Sequence, residues 1–550
     1  MTVRWALPAL SLLWIAVLLG GTGRSEFEVT AAAGAVQQAD PSAAFQTADN
    51  CMACHNGLTA ASGEDVSFGI AWRASMMANS ARDPYWQAAV RREITDHPKA
   101  AEHIEDECST CHMPMARTAA VASGQRGRVF AHLPLPGTAH DSAIAADGVS
   151  CTMCHQISAE RAGSPGSFTG AFVVDMAAPP EGRPLYGPFP IDGGRSRIMH
   201  SATGYKPTES AHVRQSEFCA SCHTLYTTPR GLDGEPLGKF PEQVPYLEWR
   251  HSALRTEQSC QACHMPVVPG ELRVASVLGE LRTGAARHDF RGGNFFMLRM
   301  LNRYRAELGV EALPQELEKA ARLATEMLQA QTARISVQAV GNRAGELAID
   351  VDVSNLTGHK LPTAYPSRRV WIHLRVLAGR SVVFESGAVL PSGAIAGNDN
   401  DADRSRYEPH YRDIRRSDEV QIYESILGDR AGRVTTGLIS AVAYLKDNRL
   451  LPRGFEKRTA EPDVATVGDA RDDPDFVGET DRVRYVLPIP SGDREVTIEA
   501  ALMFQPIGFR WADNLRPYTS TEPQRFVRYF DSMAGSSTEV LARAEARVVR

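Results

Sequence analysis

Five copies of one pattern lie between residues 51 and 264: Cys51-Met-Ala-Cys54-His55, Cys108-Ser-Thr-Cys111-His112, Cys151-Thr-Met-Cys154-His155, Cys219-Ala-Ser-Cys222-His223 and Cys260-Gln-Ala-Cys263-His264. This Cys-x-x-Cys-His pattern is the attachment signature of c-type haem. The two thiols form thioether bonds to the haem vinyl groups, and the following imidazole becomes the proximal ligand of the iron. The sequence therefore predicts five covalently bound c-type haems, with every motif cysteine an attachment residue and every motif histidine an iron ligand.

Paired cysteines also occur in zinc sites and in redox-active disulfides. Here all 10 cysteines fall into the five pairs, and a histidine follows each pair directly. Zinc sites do not require an adjacent histidine at every pair, and a thioredoxin-like pair occurs once rather than five times. The histidine after every pair favours haem. Because all 10 cysteines belong to these pairs, none is left for a structural disulfide.

Length and charge narrow the class of protein. A chain of 550 residues is long enough for two to four domains. The formal net charge is -6, so the sequence lacks the basic character typical of nucleic-acid binding. We expect no nucleic-acid partner.

The N-terminus has the pattern of an export signal. Arg4 precedes an apolar run from Trp5 to Gly20, and small residues follow it. We expect residues 1–25 to be a cleaved signal peptide, with an uncleaved membrane anchor as the alternative, and residues 26–45 to be a linker. Because bacteria attach c-type haem outside the cytoplasm, a periplasmic or otherwise exported location follows.

The segment from residue 46 to residue 292 is predicted to be the pentahaem domain. Long amphipathic periods are scarce there, and glycine and proline are frequent. Burial of porphyrins supplies the apolar area that side chains do not. We expect a loop-rich, mainly helical domain. One of its helices begins with Asp83 as N-cap and Pro84 in the first turn.

The ligand on the distal side of each iron decides what the haem does. A second histidine gives a low-potential carrier, methionine raises the potential, and an open position admits substrate. The chain has 16 histidines, of which five belong to the motifs. Surface or hydrogen-bonded histidine and core methionine are the alternatives to a ligand role. The distal candidates in this region are His140, His200, His212, His251, His288 and Met77.

Beyond residue 292 the periodicity changes twice. Asn294 to Leu308 and Pro314 to Gln331 have apolar residues at helical spacing and predict a helical connector over residues 293–332. Alternation with period two, as in Leu347 to Val353, then predicts a β-sandwich over residues 333–550. The expected fold class is α+β and multidomain. Its polar insertions at 397–416 and 459–479 are expected to be surface loops.

One loop of the predicted sandwich carries a further distal candidate, His359, in Asn355-Leu-Thr-Gly-His359-Lys360-Leu-Pro362. A His-Lys tip of this kind can reach the haem domain. Lys360, Arg368 and Arg369 are then candidates for pairing with haem propionates. The alternative is a polar loop with a solvated basic face.

The first half of the chain resembles the cytochrome c-552/4 family of multihaem proteins. The likeness is carried by the five motifs, Trp72-Arg-Ala-Ser-Met-Met-Ala, and Asp147-Gly-Val-Ser before the third motif. Thr357-Gly-His-Lys-Leu-Pro362 is similar to a segment of larger members. The resemblance implies stacked haems, mostly with two axial histidines, that pass electrons between periplasmic partners. This chain has Met77 where the family has histidine.

Three functions are compatible with this sequence. The leading hypothesis is an electron carrier between other periplasmic or membrane-bound redox proteins. The alternative is a multihaem enzyme that reduces or oxidises a small nitrogen or sulfur compound at a haem with an open coordination site. A third is docking of a partner or polymer by the β-sandwich.

Overall fold

The structure is a computed structural model that describes residues 40–135, 139–179, 182–343, 346–488 and 495–549. The predicted signal or anchor and residues 26–39 of the predicted linker lie outside these ranges. In the ranges described, no helix is both long and apolar enough to cross a bilayer. The division into residues 46–292, 293–332 and 333–550 stays a prediction.

Short helices dominate the first half, as expected for a segment rich in glycine and proline. They are α1 (Asp49–His55), α2 (Phe68–Arg73), α3 (Pro84–Asp96), α4 (Ala101–His112), α5 (Pro114–Ala122), α6 (His140–Ala146), α7 (Cys151–Cys154), α8 (Gly193–Thr203), α9 (Ser216–Ala220), α10 (Pro245–Arg250) and α11 (Cys260–His264). The predicted cap of α3 is present, because the Asp83 carboxylate accepts hydrogen bonds from the Tyr85 and Trp86 amides.

Three two-stranded ribbons complete the first half. They are formed by β1 (Pro184–Gly187) with β2 (Lys206–Glu209), β3 (Leu225–Thr227) with β4 (Phe240–Gln243), and β5 (Glu271–Arg273) with β6 (Leu281–Thr283). The first pair is parallel and the other two are antiparallel. Such short ribbons have little core of their own.

The predicted connector consists of three helices: α12 (Phe295–Arg303), α13 (Arg305–Leu308) and α14 (Pro314–Gln331). Gly309 ends α13 in the left-handed conformation at φ 63°, which glycine adopts without steric cost. The apolar face of α12, including Phe295, Phe296 and Leu301, is buried. It belongs to the core of the strand-rich half.

The strand-rich half contains two main sheets. Its elements are β7 (Ala333–Arg343), β8 (Glu346–Asn355), β9 (Arg369–Ala378), β10 (Ser381–Ser386), α15 (Asp399–Ala402), β11 (Asp413–Ile414), β12 (Ile422–Tyr423), β13 (Ser425–Asp429), β14 (Val434–Thr435), β15 (Ala441–Asp447), β16 (Thr480–Pro488), β17 (Glu495–Gln505), α16 (Phe509–Asp513), α17 (Thr521–Met533) and β18 (Glu539–Val549). One sheet has the order β11-β16-β8-β7. The other has the order β10-β9-β17-β18, with β12 also paired to β9.

The two sheets bury a common core. Alternate residues of β8 from Leu347 to Val353 are buried, as the period of two predicts. They belong to one hydrophobic cluster with Val370, Ile372 and Val376 of the other sheet. A smaller sheet with the order β14-β13-β15 is formed by the chain between β12 and β16. The α+β fold class, with helices first and strands last, is confirmed.

The last helix contacts the first half of the chain. Tyr85 of α3 packs edge-on against Phe526 of α17 at 5.0 Å between ring centroids. Arg91 of α3 also pairs with Glu522 at 2.8 Å. A C-terminal helix therefore packs against the region that carries the motifs.

Candidate cofactor site

A single cavity of about 1350 Å³ joins all five motifs. Every motif cysteine and every motif histidine lines it, and the cysteines are free thiols. Large apolar side chains, among them Trp72, Trp86 and Phe504, form much of the remaining wall. An apolar cavity with a few converging polar groups is typical of a cofactor site.

Each motif begins on a short helix or lies at its end: α1, α4, α7, α9 and α11. Two cysteines three residues apart lie on the same face of a helical turn. The histidine that follows is at or just beyond the last turn. The two thiols and the imidazole of each motif all line the cavity.

The motifs adjoin one another in a different order from their order in the sequence. Three pairs of thiols from different motifs are close neighbours: Cys51 with Cys151, Cys111 with Cys222, and Cys219 with Cys260. Cys219 also interacts electrostatically with Cys154. The spatial order is therefore first, third, fourth and fifth motif, with the second motif beside the fourth.

Most histidines of the cavity are oriented by a backbone carbonyl. The Nδ1 atom bonds to a carbonyl oxygen at 2.5–3.1 Å in six of them: His55 with Val274, His112 with Ser80, His155 with Tyr186, His264 with Arg291, His288 with Ala286, and His359 with Lys360. Because a carbonyl only accepts, Nδ1 carries the proton and Nε2 keeps the lone pair. This is the arrangement that fixes metal-binding histidines in proteins.

Two distal candidates lie opposite motif histidines. The ring centroids of His155 and His288 are 6.5 Å apart, with 17° between the ring planes. Those of His264 and His359 are 6.3 Å apart, with 18° between planes. A metal–imidazole bond of about 2 Å, with about 1 Å from nitrogen to ring centre on each side, separates opposed rings by about 6 Å. Both pairs therefore have the spacing of two axial ligands on one metal.

Burial keeps the cavity histidines neutral. Desolvation lowers the pKa of His112, His223, His288 and His359 to about 4. The neutral imidazole is the form that binds a metal. At neutral pH these rings need no proton loss before they act as ligands.

In two other candidates, Nε2 bonds to a backbone carbonyl of the protein. His212 is buried, and its Nε2 bonds to the Ile157 carbonyl at 2.9 Å while Nδ1 bonds to Ser210. His140 Nε2 bonds to the Ser42 carbonyl at 3.2 Å. Neither side chain is in the lining of the cavity as far as the structure describes it. His212 is near enough to the motif histidine His155 to act on it electrostatically, but its ring nitrogens are both engaged elsewhere.

The remaining candidates are placed differently from one another. His200 is exposed on α8, and His251 is half-buried beside Glu461; neither belongs to the cavity wall in the described ranges. Met77 does line the cavity. Its carbonyl accepts a hydrogen bond from the Val149 amide at 2.9 Å, which ties it to the chain that leads into the third motif.

The second motif has surroundings that the sequence did not reveal. His112 stacks on Trp86 with 4.3 Å between ring centroids and 2° between planes. Among the ring contacts of the described residues, no second imidazole faces His112. Trp86 follows the predicted cap of α3 by three residues, but no local pattern marks it as a cavity residue.

Three carboxyl groups line the cavity beside the second motif: the buried Glu93 and Glu242 and the half-buried Glu107. Burial, then the charge of Glu107 and that of Glu93, raises the pKa of Glu242 to about 7. Burial is also the largest cause of the raised pKa of Glu93 and of Glu107. Carboxyl groups with raised pKa values in a cleft are typical of proton-transfer sites.

Glu242→Gln should change the pH dependence of stability. The folded pKa of about 7 is above the ordinary 4.5, so the free energy of unfolding falls as pH rises from about 4.5 to 7. The variant should lose this decline and exceed the parent at pH 8 by roughly 1–3 kcal/mol. Urea unfolding at pH 5 and pH 8 measures it. Glu235→Gln, at an exposed position, is the control; equal pH slopes in parent and Glu242→Gln would contradict the prediction.

The structure separates the three cations proposed to bind propionates. Lys360 is fully buried and pairs with Asp447 at 2.7 Å. Arg369 is also buried and pairs with Asp401 at 2.8 Å. The prediction is wrong for these two residues, because each already has a buried carboxylate partner. Arg368 alone of the three lines the cavity.

No protein-family model matches this chain. No curated protein matches it either. A solved structure, that of a penta-haem cytochrome c552 from Thermochromatium tepidum, is similar with a TM-score of 0.53 and 16% sequence identity. The match covers 92% of this chain and 100% of that chain. At this identity the likeness concerns the fold, and the chain shares its fold with that cytochrome.

Proposed function

We propose that this protein is a multihaem c-type cytochrome that carries electrons between exported redox partners. The observation that supports this most is the single apolar cavity joining all five Cys-x-x-Cys-His motifs. When bound, haem supplies reversible one-electron chemistry at its iron. The fold shared with a penta-haem cytochrome agrees with this proposal.

The residues present fit five covalently bound haems. Each motif offers two free thiols and one neutral imidazole to the cavity, and no other cysteine competes for them. His288 and His359 would supply second iron ligands at the third and fifth motifs, and the ring spacings described above suit this role. The apolar walls of the cavity would exclude water from the rest of the cofactor surface.

Transfer between partners requires that the five sites form a continuous series. The thiol contacts between the first and third, second and fourth, and fourth and fifth motifs, together with the interaction of Cys154 with Cys219 between the third and fourth, support such a series. We expect the partners to be periplasmic or membrane-bound redox proteins, because c-type haem is attached after export and the N-terminus has an export pattern.

Film voltammetry of the mature protein tests the proposal. An adsorbed film should give reversible waves whose integrated charge equals five electrons per chain. Nitrite, hydroxylamine or sulfite should add no catalytic current. Fewer than five electrons would contradict the haem count, and a steady catalytic current would contradict the carrier role.

A second candidate function is a redox enzyme with its open position at the second motif. The observation in its favour is specific: Glu93, Glu107 and Glu242 line the cavity there, and no described ring contact places an imidazole opposite His112. Two results together would support the enzyme over the carrier. The parent protein would show a high-spin iron signal that nitrite removes. Glu242→Gln would keep that signal but turn over substrate more slowly.

A further inference from the structure

Arg368 is a cation inside the cavity without an ionic partner among the described residues. Its Nη1 donates to the Thr363 carbonyl at 3.0 Å and its Nη2 donates to Asn294 Oδ1 at 2.8 Å. Its Nε is buried and has no hydrogen-bond partner. Both partners are neutral, so the charge of this guanidinium is not compensated by protein groups.

The two buried cations nearest to Arg368 in sequence do have ionic partners. Lys360 pairs with Asp447, and Arg369 pairs with Asp401, all four groups being buried. A buried charge without a partner is strongly unfavourable, and proteins avoid it. Arg368 is therefore expected to pair with an anion that does not belong to the polypeptide.

The position of the guanidinium narrows the identity of that anion. Arg368 Nη2 bonds to Asn294, three residues after Arg291, whose carbonyl accepts a hydrogen bond from Nδ1 of His264. Arg368 lines the same cavity as His223, His264 and His359, and its charge acts on all three rings. The cation thus lies near the fourth and fifth motifs. Any anion it binds is close to a cofactor held by one of these two.

We propose that Arg368 binds a propionate carboxylate of the haem attached at the fourth or the fifth motif. The planar guanidinium matches a carboxylate in geometry, and its unpartnered Nε is available as a donor. This inference rests on the proposed function, since it requires haem at these motifs. It assigns a role to Arg368: the guanidinium neutralises the propionate carboxylate and keeps a positive charge near one iron.

The charge has a measurable consequence for that haem. A nearby cation favours the reduced form of the iron, because reduction removes one positive charge from it. Arg368→Gln should lower the equilibrium constant for reduction of one haem at least tenfold, which is about 59 mV for a one-electron couple. Arg368→Lys keeps the charge but loses the planar fork, so its shift should be smaller.

Redox potentiometry of the holoprotein tests this, together with haem content and low-spin spectra for each variant. The expected result is a shift of one haem, with five haems and unchanged low-spin spectra in every variant. Arg416→Gln, at an exposed surface pair with Asp418, is the control and should leave all potentials in place. Unshifted potentials in Arg368→Gln would overturn the inference while leaving the proposed function intact.

A free anion from solvent is the other source of the same chemistry. Titration with acetate and with sulfate distinguishes it from a propionate. The parent protein should show no change in potential, because the propionate already occupies the site. A change in the parent that Arg368→Gln abolishes would overturn the propionate assignment. A protein without haem would overturn the proposed function, and the inference with it.

Discussion

Replacing His359 with alanine should convert one haem in five from low-spin to high-spin. The ring of His359 lies opposite that of His264 at 6.3 Å, and Lys360 orients it through its carbonyl. Removal of the imidazole leaves the distal side of the fifth site without its ligand, and a five-coordinate haem iron is high-spin. Quantitative electron paramagnetic resonance of the oxidised holoprotein measures the loss of one low-spin centre.

His251→Ala is the matched control for this variant. His251 is also near the fifth motif in sequence, but it is half-buried beside Glu461 and is not part of the cavity wall in the described residues. It should keep every low-spin signal. An unchanged spectrum in His359→Ala, or an equal loss in His251→Ala, would contradict the axial role of His359.

Replacing Asp447 with asparagine should destabilise the protein by about 3–5 kcal/mol, the usual cost of breaking a buried ion pair. The Asp447 carboxylate accepts hydrogen bonds from Lys360 at 2.7 Å and from Arg449 at 2.7 Å. Arg449 keeps Glu248 as a partner at 2.9 Å. The ammonium of Lys360 has no such second carboxylate at ion-pair distance in the described chain, so it is left buried and unpaired.

The same contact predicts a pH dependence. Burial alone would raise the pKa of Asp447, but Arg449 and Lys360 outweigh burial and lower the pKa from 3.8 to about 2. A lowered folded pKa means that the stabilisation is complete above about pH 4 and is lost as pH falls towards 2. Asp447→Asn should lack this part of the acid transition.

Urea unfolding of the holoprotein at pH 7 and pH 3 measures both effects. Asp418→Asn removes an exposed partner of Arg416 and should change stability by less than about 0.5 kcal/mol. Because Lys360 adjoins His359, Asp447→Asn should also broaden the low-spin signal of one haem. A variant as stable as the parent would show that the Lys360–Asp447 pair contributes little.

Local patterns predicted the elements well where the pattern itself determines the structure. Asp83 before Pro84 predicted the start of α3, and the alternation from Leu347 to Val353 predicted β8, because caps and side-chain periods depend on neighbours in sequence. The positions of the polar insertions were predicted less well. The stretches 397–416 and 459–479 were expected on the surface, yet Asp401 and His410 are buried in polar contacts.

The site shows where sequence reasoning runs out. The sequence does not distinguish Lys360, Arg368 and Arg369 as candidates for binding a propionate. Only the folded structure shows that Asp447 and Asp401 pair with the first and the last of them. Likewise, Glu93, Glu107 and Glu242 come from three separate segments that tertiary packing brings to the second motif. Contacts of this range have no local signature. The motifs themselves can be recognised without tertiary information, because each consists of five consecutive residues.

The most direct measurement is the intact mass of the mature protein, made in a host that attaches c-type haem, combined with haem extraction in acidic acetone. The mass should exceed that of the polypeptide by five haems, and the Soret absorbance should stay with the protein after extraction. A colourless or zinc-containing protein, or one whose colour is extracted, would contradict covalent attachment at the five cysteine pairs.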